Sequence, residues 1–177
     1  MTNSTKQEID SPVGKIVFMA LKTPIKNNFD KSAEPKKKYT IRLEFDGDSK
    51  EDQEFRALIK DINPKRIVTT KKVNDEIVTL GGNKFQVAFS SEYKVDVVDT
   101  DGTDLIQDFI PELGMDGEGT AIVNLTADFA RSNVALKVKA ALYLKLVRLV
   151  TFKAGTATSA KLDEAKARIN AKVATSN

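Results

Sequence analysis

The sequence predicts a mainly β domain: a small antiparallel barrel or sandwich with one inserted helix and a short C-terminal helix. Three observations predict it. The segments "YTIRLEFD" and "TAIVNLTADFA" alternate apolar and polar residues with period two, as half-buried strands do. The segment "GDSKEDQEFRALIKDINP" repeats its apolar residues at helical spacing instead. About six or seven strand-like segments surround that one helix, which suits a barrel or sandwich and not alternating β-α-β units.

The elements follow in order. Residues 1–12 are polar, end in Ser-Pro and read as a disordered lead. "VGKIVFMALKTPI" is apolar with Lys15 and Lys22 inserted, and reads as a first strand stopping at Pro24. "KNNFDKSAEPKKK" is a basic loop. In "YTIRLEFD", Tyr39, Ile41, Leu43 and Phe45 share one face, and Thr40, Arg42, Glu44 and Asp46 the other. In the helix, Ser49 is an N-cap, with Glu51 and Asp52 in the first turn. Its stripe is Phe55, Leu58, Ile59 and Ile62, and Asn63-Pro64 ends it.

"KRIVTTKKVNDEIVTLGGNK" reads as short strands or an exposed hairpin. "KFQVAFSSEYKVDVVD" places Phe85, Val87 and Phe89 on one face, and two strands meet around Glu92. "DTDGTD" is a turn. In "TAIVNLTADFA", Ala121, Val123, Leu125, Ala127 and Phe129 oppose Thr120, Ile122, Asn124, Thr126 and Asp128.

The stretch "ALKVKAALYLKLVRLVTFK", residues 135–153, has no acid. As a helix it would be apolar all round and would bury its charges at high cost. As a strand it separates into a nearly pure core face and a face bearing Lys137, Lys139, Tyr143 and Lys145. Arg148 breaks the pattern, which predicts a bulge near Leu146 and Val147 where the strand switches faces. Beyond it, "AGTATSA" is a linker, and residues 154–177 form a linker and helical tail.

Composition limits the chemistry. The 177 residues fit one domain, here residues 13–153, and contain no histidine, cysteine or tryptophan. Thiol nucleophiles, His-based triads and Cys or His zinc sites are therefore impossible. This points away from an enzyme, and no cofactor is expected. Without a signal segment or an apolar run of about 18 residues, the expectation is a cytoplasmic protein with no membrane partner.

Charge is segregated behind a net of +3. From Glu92 to Asp128 ten acids face one base, Lys94; from Phe129 to Leu162 there are seven bases and no acid. Such asymmetry suggests a polyanionic partner. Basic residues also sit beside aromatics: Lys36, Lys37 and Lys38 precede Tyr39 and Arg42, and Lys84 and Lys94 lie near Phe85, Phe89 and Tyr93. Cations spaced along a path suit phosphates, and flat side chains offer stacking faces to bases. For Phe45, Phe85, Phe89 and Phe129 a place in the core is the stronger reading. Tyrosines tolerate a wet edge better.

Two rival signals are weaker. Asp99, Asp101 and Asp104 offer oxygen ligands for a divalent cation, but position twelve of an EF-hand loop would fall on Ile110, and an Asp-Gly turn explains them. "LGGNK" lacks the ending of a phosphate loop.

The order of elements resembles the OB-fold single-stranded DNA-binding proteins of tailed bacteriophages. The resemblance covers roughly residues 13–153, from "GKIVFMALKTP" and "YTIRLEF" through the helix "EDQEFRALIKDI" and "KFQVAFSSEYKVDVVDTDGTDL" to "GTAIVNLTADF" and "AALYLKLVRLVTF". It implies an OB-fold-like barrel and sequence-independent binding of single-stranded DNA in phage replication, recombination or repair, in the cytoplasm of the infected host. Partners expected with it are single-stranded DNA, replication or recombination proteins, and a second copy of the chain. Such proteins often end in an acidic tail, whereas "DEAKARINAKVATSN" is neutral to basic. The alternative is a β-barrel or sandwich protein of virion assembly.

Overall fold

The computed structural model describes residues 7–26, 36–104, 117–126 and 140–152. Among the described residues the strands are β1 (Gln7–Asp10), β2 (Gly14–Lys26), β3 (Lys37–Phe45), β4 (Ile67–Val68), β5 (Thr70–Val73), β6 (Glu76–Thr79), β7 (Phe85–Ser91), β8 (Asp96–Val98), β9 (Gly117–Thr126) and β10 (Ala141–Phe152), with one α-helix, α1 (Lys50–Ile62). The main sheet runs β4-β7-β3-β2-β9-β10-β8, with β1 added to β9, and β5 and β6 form a separate hairpin. Neighbours are antiparallel except β10 and β8, which are parallel. β8 follows β7 along the chain, and β10 also packs on β7. The sheet thus folds back on itself without a hydrogen-bonded pair closing it among the described strands. This mainly β, single-helix architecture is compatible with an OB-like fold.

Period-two patterning accounts for the central strands. Ile41, Leu43 and Phe45 of β3 are buried beside Phe85, Val87 and Phe89 of β7. Phe45 stacks on Phe85 with centroids 5.1 Å apart and tilts against Phe55 at 5.2 Å. Each such aromatic pair adds about 0.5–1.5 kcal/mol beyond burial. The helix begins where expected, with Ser49 Oγ accepting from Asp52 N at 3.0 Å. Phe55, Ile59 and Ile62 are buried, but Leu58 is 41% exposed. It lies at the margin of the stripe, so α1 buries a narrower face than its sequence suggests.

Several boundaries differ from the sequence reading. Residues 7–10, assigned to a disordered lead, pair with β9 from Gln7↔Leu125 to Asp10↔Ile122. Ile9 is buried there, and Ser11 clamps Ala121 with two hydrogen bonds of 3.0 and 2.9 Å. β2 runs through Pro24 to Lys26, because its register against β3 jumps from Ala20↔Thr40 to Ile25↔Lys38. The jump leaves Pro24 out of the ladder, where its missing N–H costs nothing.

On β10 the predicted change of face is present one residue early. Leu144 pairs with Val123 and Leu146 with Ile122, so Lys145 is the extra, bulged residue. Leu142 and Leu144 are buried before it, Val147 and Leu149 after it. Residues 135–139, with Lys137 and Lys139, lie outside the described residues, as do Phe129 and the tail 154–177.

Candidate nucleic-acid interface

The inward residues of β3 leave Lys38, Thr40, Arg42 and Glu44 on its outer face. Cross-strand partners share a face, so the register identifies their neighbours. Arg42 lies beside Phe18 of β2 on one side and Ala88 of β7 on the other. Thr40 lies between Ala20 and Ser90. Phe18 is partly exposed, although Met19 and Ile16 near it are buried. A bulge at Val17, between Ile16↔Leu43 and Phe18↔Arg42, turns the phenyl ring outward. The sequence reading missed Phe18 because it sits in an unbroken apolar run. The signal lies in the bulge, which only pairing reveals.

Arg66 extends the cationic edge of this face. Its Nη1 donates to Ala88 O at 3.2 Å. Burial strips solvent from the guanidinium and lowers its pKa from the ordinary arginine value. An arginine stays a cation at neutral pH all the same.

At the ends of β2 and β3 that residues 27–36 join, cations concentrate on both faces. Lys26 pairs directly with Lys37, and Lys38 with Ile25. Like charges directly opposite on a sheet destabilise it unless an anion sits between them. Lys26 was not among the sequence candidates, because the strand was expected to stop at Pro24. Lys36 Nζ contacts Glu92 Oε2 at 3.1 Å. Tyr93 is 81% exposed in the turn after β7, where its N–H donates to Ser91 Oγ at 3.0 Å. Lys94 beside it is exposed. Tyr39 is half-buried and packs against the core.

The other candidates separate. Lys15 and Lys84 line a cleft of about 240 Å³ with Glu44, Asp46, Asp52 and Glu118, so carboxylates outnumber them. Lys84 Nζ lies 3.8 Å from Asp46 Oδ1. Tyr143 and Lys145 are on β10, with β2 and β9 between that strand and β3 along the sheet. Tyr143 is 37% exposed beside Asn124, and Lys145 is ion-paired with Glu8 of β1. Lys22 is half-buried on β2.

The aspartate loop is organised for the backbone. Asp99 Oδ1 accepts from Asp101 N at 2.9 Å and Thr103 N at 3.0 Å, and Gly102 takes φ +79°. No carboxylate group suited to a metal ion occurs among the described residues. Nor is any helix among them long and apolar enough to cross a membrane.

No family model and no curated protein matches the chain. Solved structures do. gp2.5, a single-stranded DNA-binding protein encoded by bacteriophage T7, matches with a TM-score of 0.51 at 14% identity, over 90% of this chain and 94% of that one. The single-stranded DNA-binding protein of bacteriophage Enc34, solved in complex with single-stranded DNA, matches with a TM-score of 0.54 at 14% identity, over 85% of this chain and 89% of that one. Its C-terminal truncation matches with the same score and identity over 82% and 86%. At this identity the likeness establishes a shared fold.

Proposed function

We propose that the chain binds single-stranded DNA without sequence preference, across the outer face of β2, β3 and β7. The observation that carries the proposal is the Phe18–Arg42 row, an outward aromatic beside an arginine, continued by the lysines at the β2–β3 end. The shared fold with phage single-stranded DNA-binding proteins supports the same reading.

Each group has a role. Lys26, Lys36, Lys37 and Lys38 engage successive phosphates, and Arg42 and Arg66 supply charge at the centre and edge of the face. Phe18 and Tyr93 are the stacking surfaces; every base offers a π-face, so such contacts tolerate any sequence. Lys22 and Lys94 widen the basic rim, and Tyr39 supports it from below. Tyr143 and Lys145 of β10, with Lys137 and Lys139 before them in the chain, are a second segment of the path. The protein acts by covering single strands during phage DNA replication, recombination or repair, without catalysis, in the host cytoplasm. Replication or recombination proteins and further copies of the chain are its protein partners.

The test is a fluorescence-anisotropy titration with labelled oligo-dT and an equal-length duplex across a salt series. The expected result is preference for the single strand, with affinity falling steeply as salt rises. No binding to oligo-dT at low salt would overturn the proposal.

A further inference from the structure

The β5–β6 hairpin projects from the end of β4 without joining the main sheet. It belongs to a separate two-stranded sheet. Its residues from Thr70 to Ile77 are all exposed, Ile77 by 78% and Val73 by 42%. An isolated two-stranded hairpin is at best marginally stable in water, so local chemistry must hold this one. Asn74 and Asp75 form its two-residue turn with φ of 49° and 66°, the primed geometry that matches strand twist. Lys72 Nζ contacts Asp75 Oδ1 at 2.8 Å, and Leu80 N donates to Thr69 O at 2.9 Å at the base.

The hairpin therefore keeps a defined shape and adds no buried residue to the core among the described residues. The pairing Lys72↔Ile77 sets a cation and a large apolar side chain side by side on one fully exposed face, flanked by Thr70 and Thr79. Within the hairpin Lys71 and Lys72 balance Asp75 and Glu76, and the excess of positive charge lies at its base, in Lys65 and Arg66. Its base continues directly from Arg66 and β4, which form the edge of the β7 face.

We infer that this hairpin is a second contact arm for single-stranded nucleic acid. Lys72 meets a phosphate, and Ile77 beside it lies against a base or ribose of the strand leaving the β2-β3-β7 face. Continuity with the cations Lys65 and Arg66 at its base selects a polyanion over an apolar partner. The inference rests on the proposed DNA-binding reading.

The chain lacks cysteine, so Ile77→Cys introduces a single reporter thiol. Its alkylation rate is measured with and without saturating oligo-dT, and binding is followed by anisotropy in the same samples. The expected result is bound oligonucleotide with alkylation slowed several-fold. Bound oligonucleotide with an unchanged rate would overturn the arm and leave the DNA-binding reading standing. Absence of binding in the unsubstituted protein would overturn both. Protection that rises with protein concentration without DNA would overturn the arm in favour of contact between copies. The variant Lys72→Ala, with unchanged melting temperature, is expected to flatten the salt slope by about 0.7. An unaltered slope overturns the phosphate contact.

Discussion

Phe18 of β2 and Arg42 of β3 are directly paired neighbours, and both face away from the core. Guanidinium and phenyl groups side by side can hold a nucleotide by phosphate and base together. Phe18→Ala is expected to weaken oligo-dT binding by about 1–3 kcal/mol, the range for loss of one stacked base. Anisotropy measures the loss, and circular dichroism checks that the fold persists. Wild-type affinity would remove Phe18 from the interface.

Tyr143→Ala separates the two segments of the proposed path. If β10 carries bound DNA, the loss should match that of Phe18→Ala, about 1–3 kcal/mol. A loss confined to Phe18→Ala and Tyr93→Ala would restrict the site to β2, β3 and β7.

The Lys26–Lys37 pair sets function against stability. Lys26→Ala removes a cross-strand repulsion, so thermal stability should rise by roughly 0.2–1 kcal/mol. The same change should flatten the salt dependence of DNA binding by about 0.7. A protein equally stable and equally salt-sensitive would show that neither effect operates there.

Glu92 holds Lys36 in an exposed ion pair, worth little to folding. Glu92→Gln should leave the melting temperature nearly unchanged and tighten oligonucleotide binding, because Lys36 no longer has to leave a carboxylate for a phosphate. Weaker binding in this variant would assign Glu92 a direct part in recognition.

Gly47 precedes the α1 cap with φ +75°, and a Cβ there would approach Asn83 O to 2.2 Å. Gly47 N also donates to Asp52 Oδ2 at 3.1 Å. Gly47→Ala should cost more than the roughly 1 kcal/mol of an ordinary loop change, read as a lowered denaturation midpoint. Full stability would mean that the loop yields easily.

The class of fold and the identity of its strongest elements are legible in the chain alone. Period-two runs placed Ile41, Leu43, Phe45 and Val123 inward, helical spacing and the Ser49 cap defined α1, and Arg148 announced the switch of face on β10. These signals are local: each follows from the geometry of one strand or one helix. The tertiary structure decided what depends on pairing between distant segments. Only the partner strand shows that Val17 bulges and turns Phe18 outward, that Lys26 meets Lys37, or that β1 completes β9. Lys15 and Lys84 read as nucleic-acid-binding candidates along the chain, yet the fold sets them among the carboxylates of Glu44, Asp46, Asp52 and Glu118. Side-chain type is written in the chain, but local charge is a sum over neighbours that only the assembled sheet brings together.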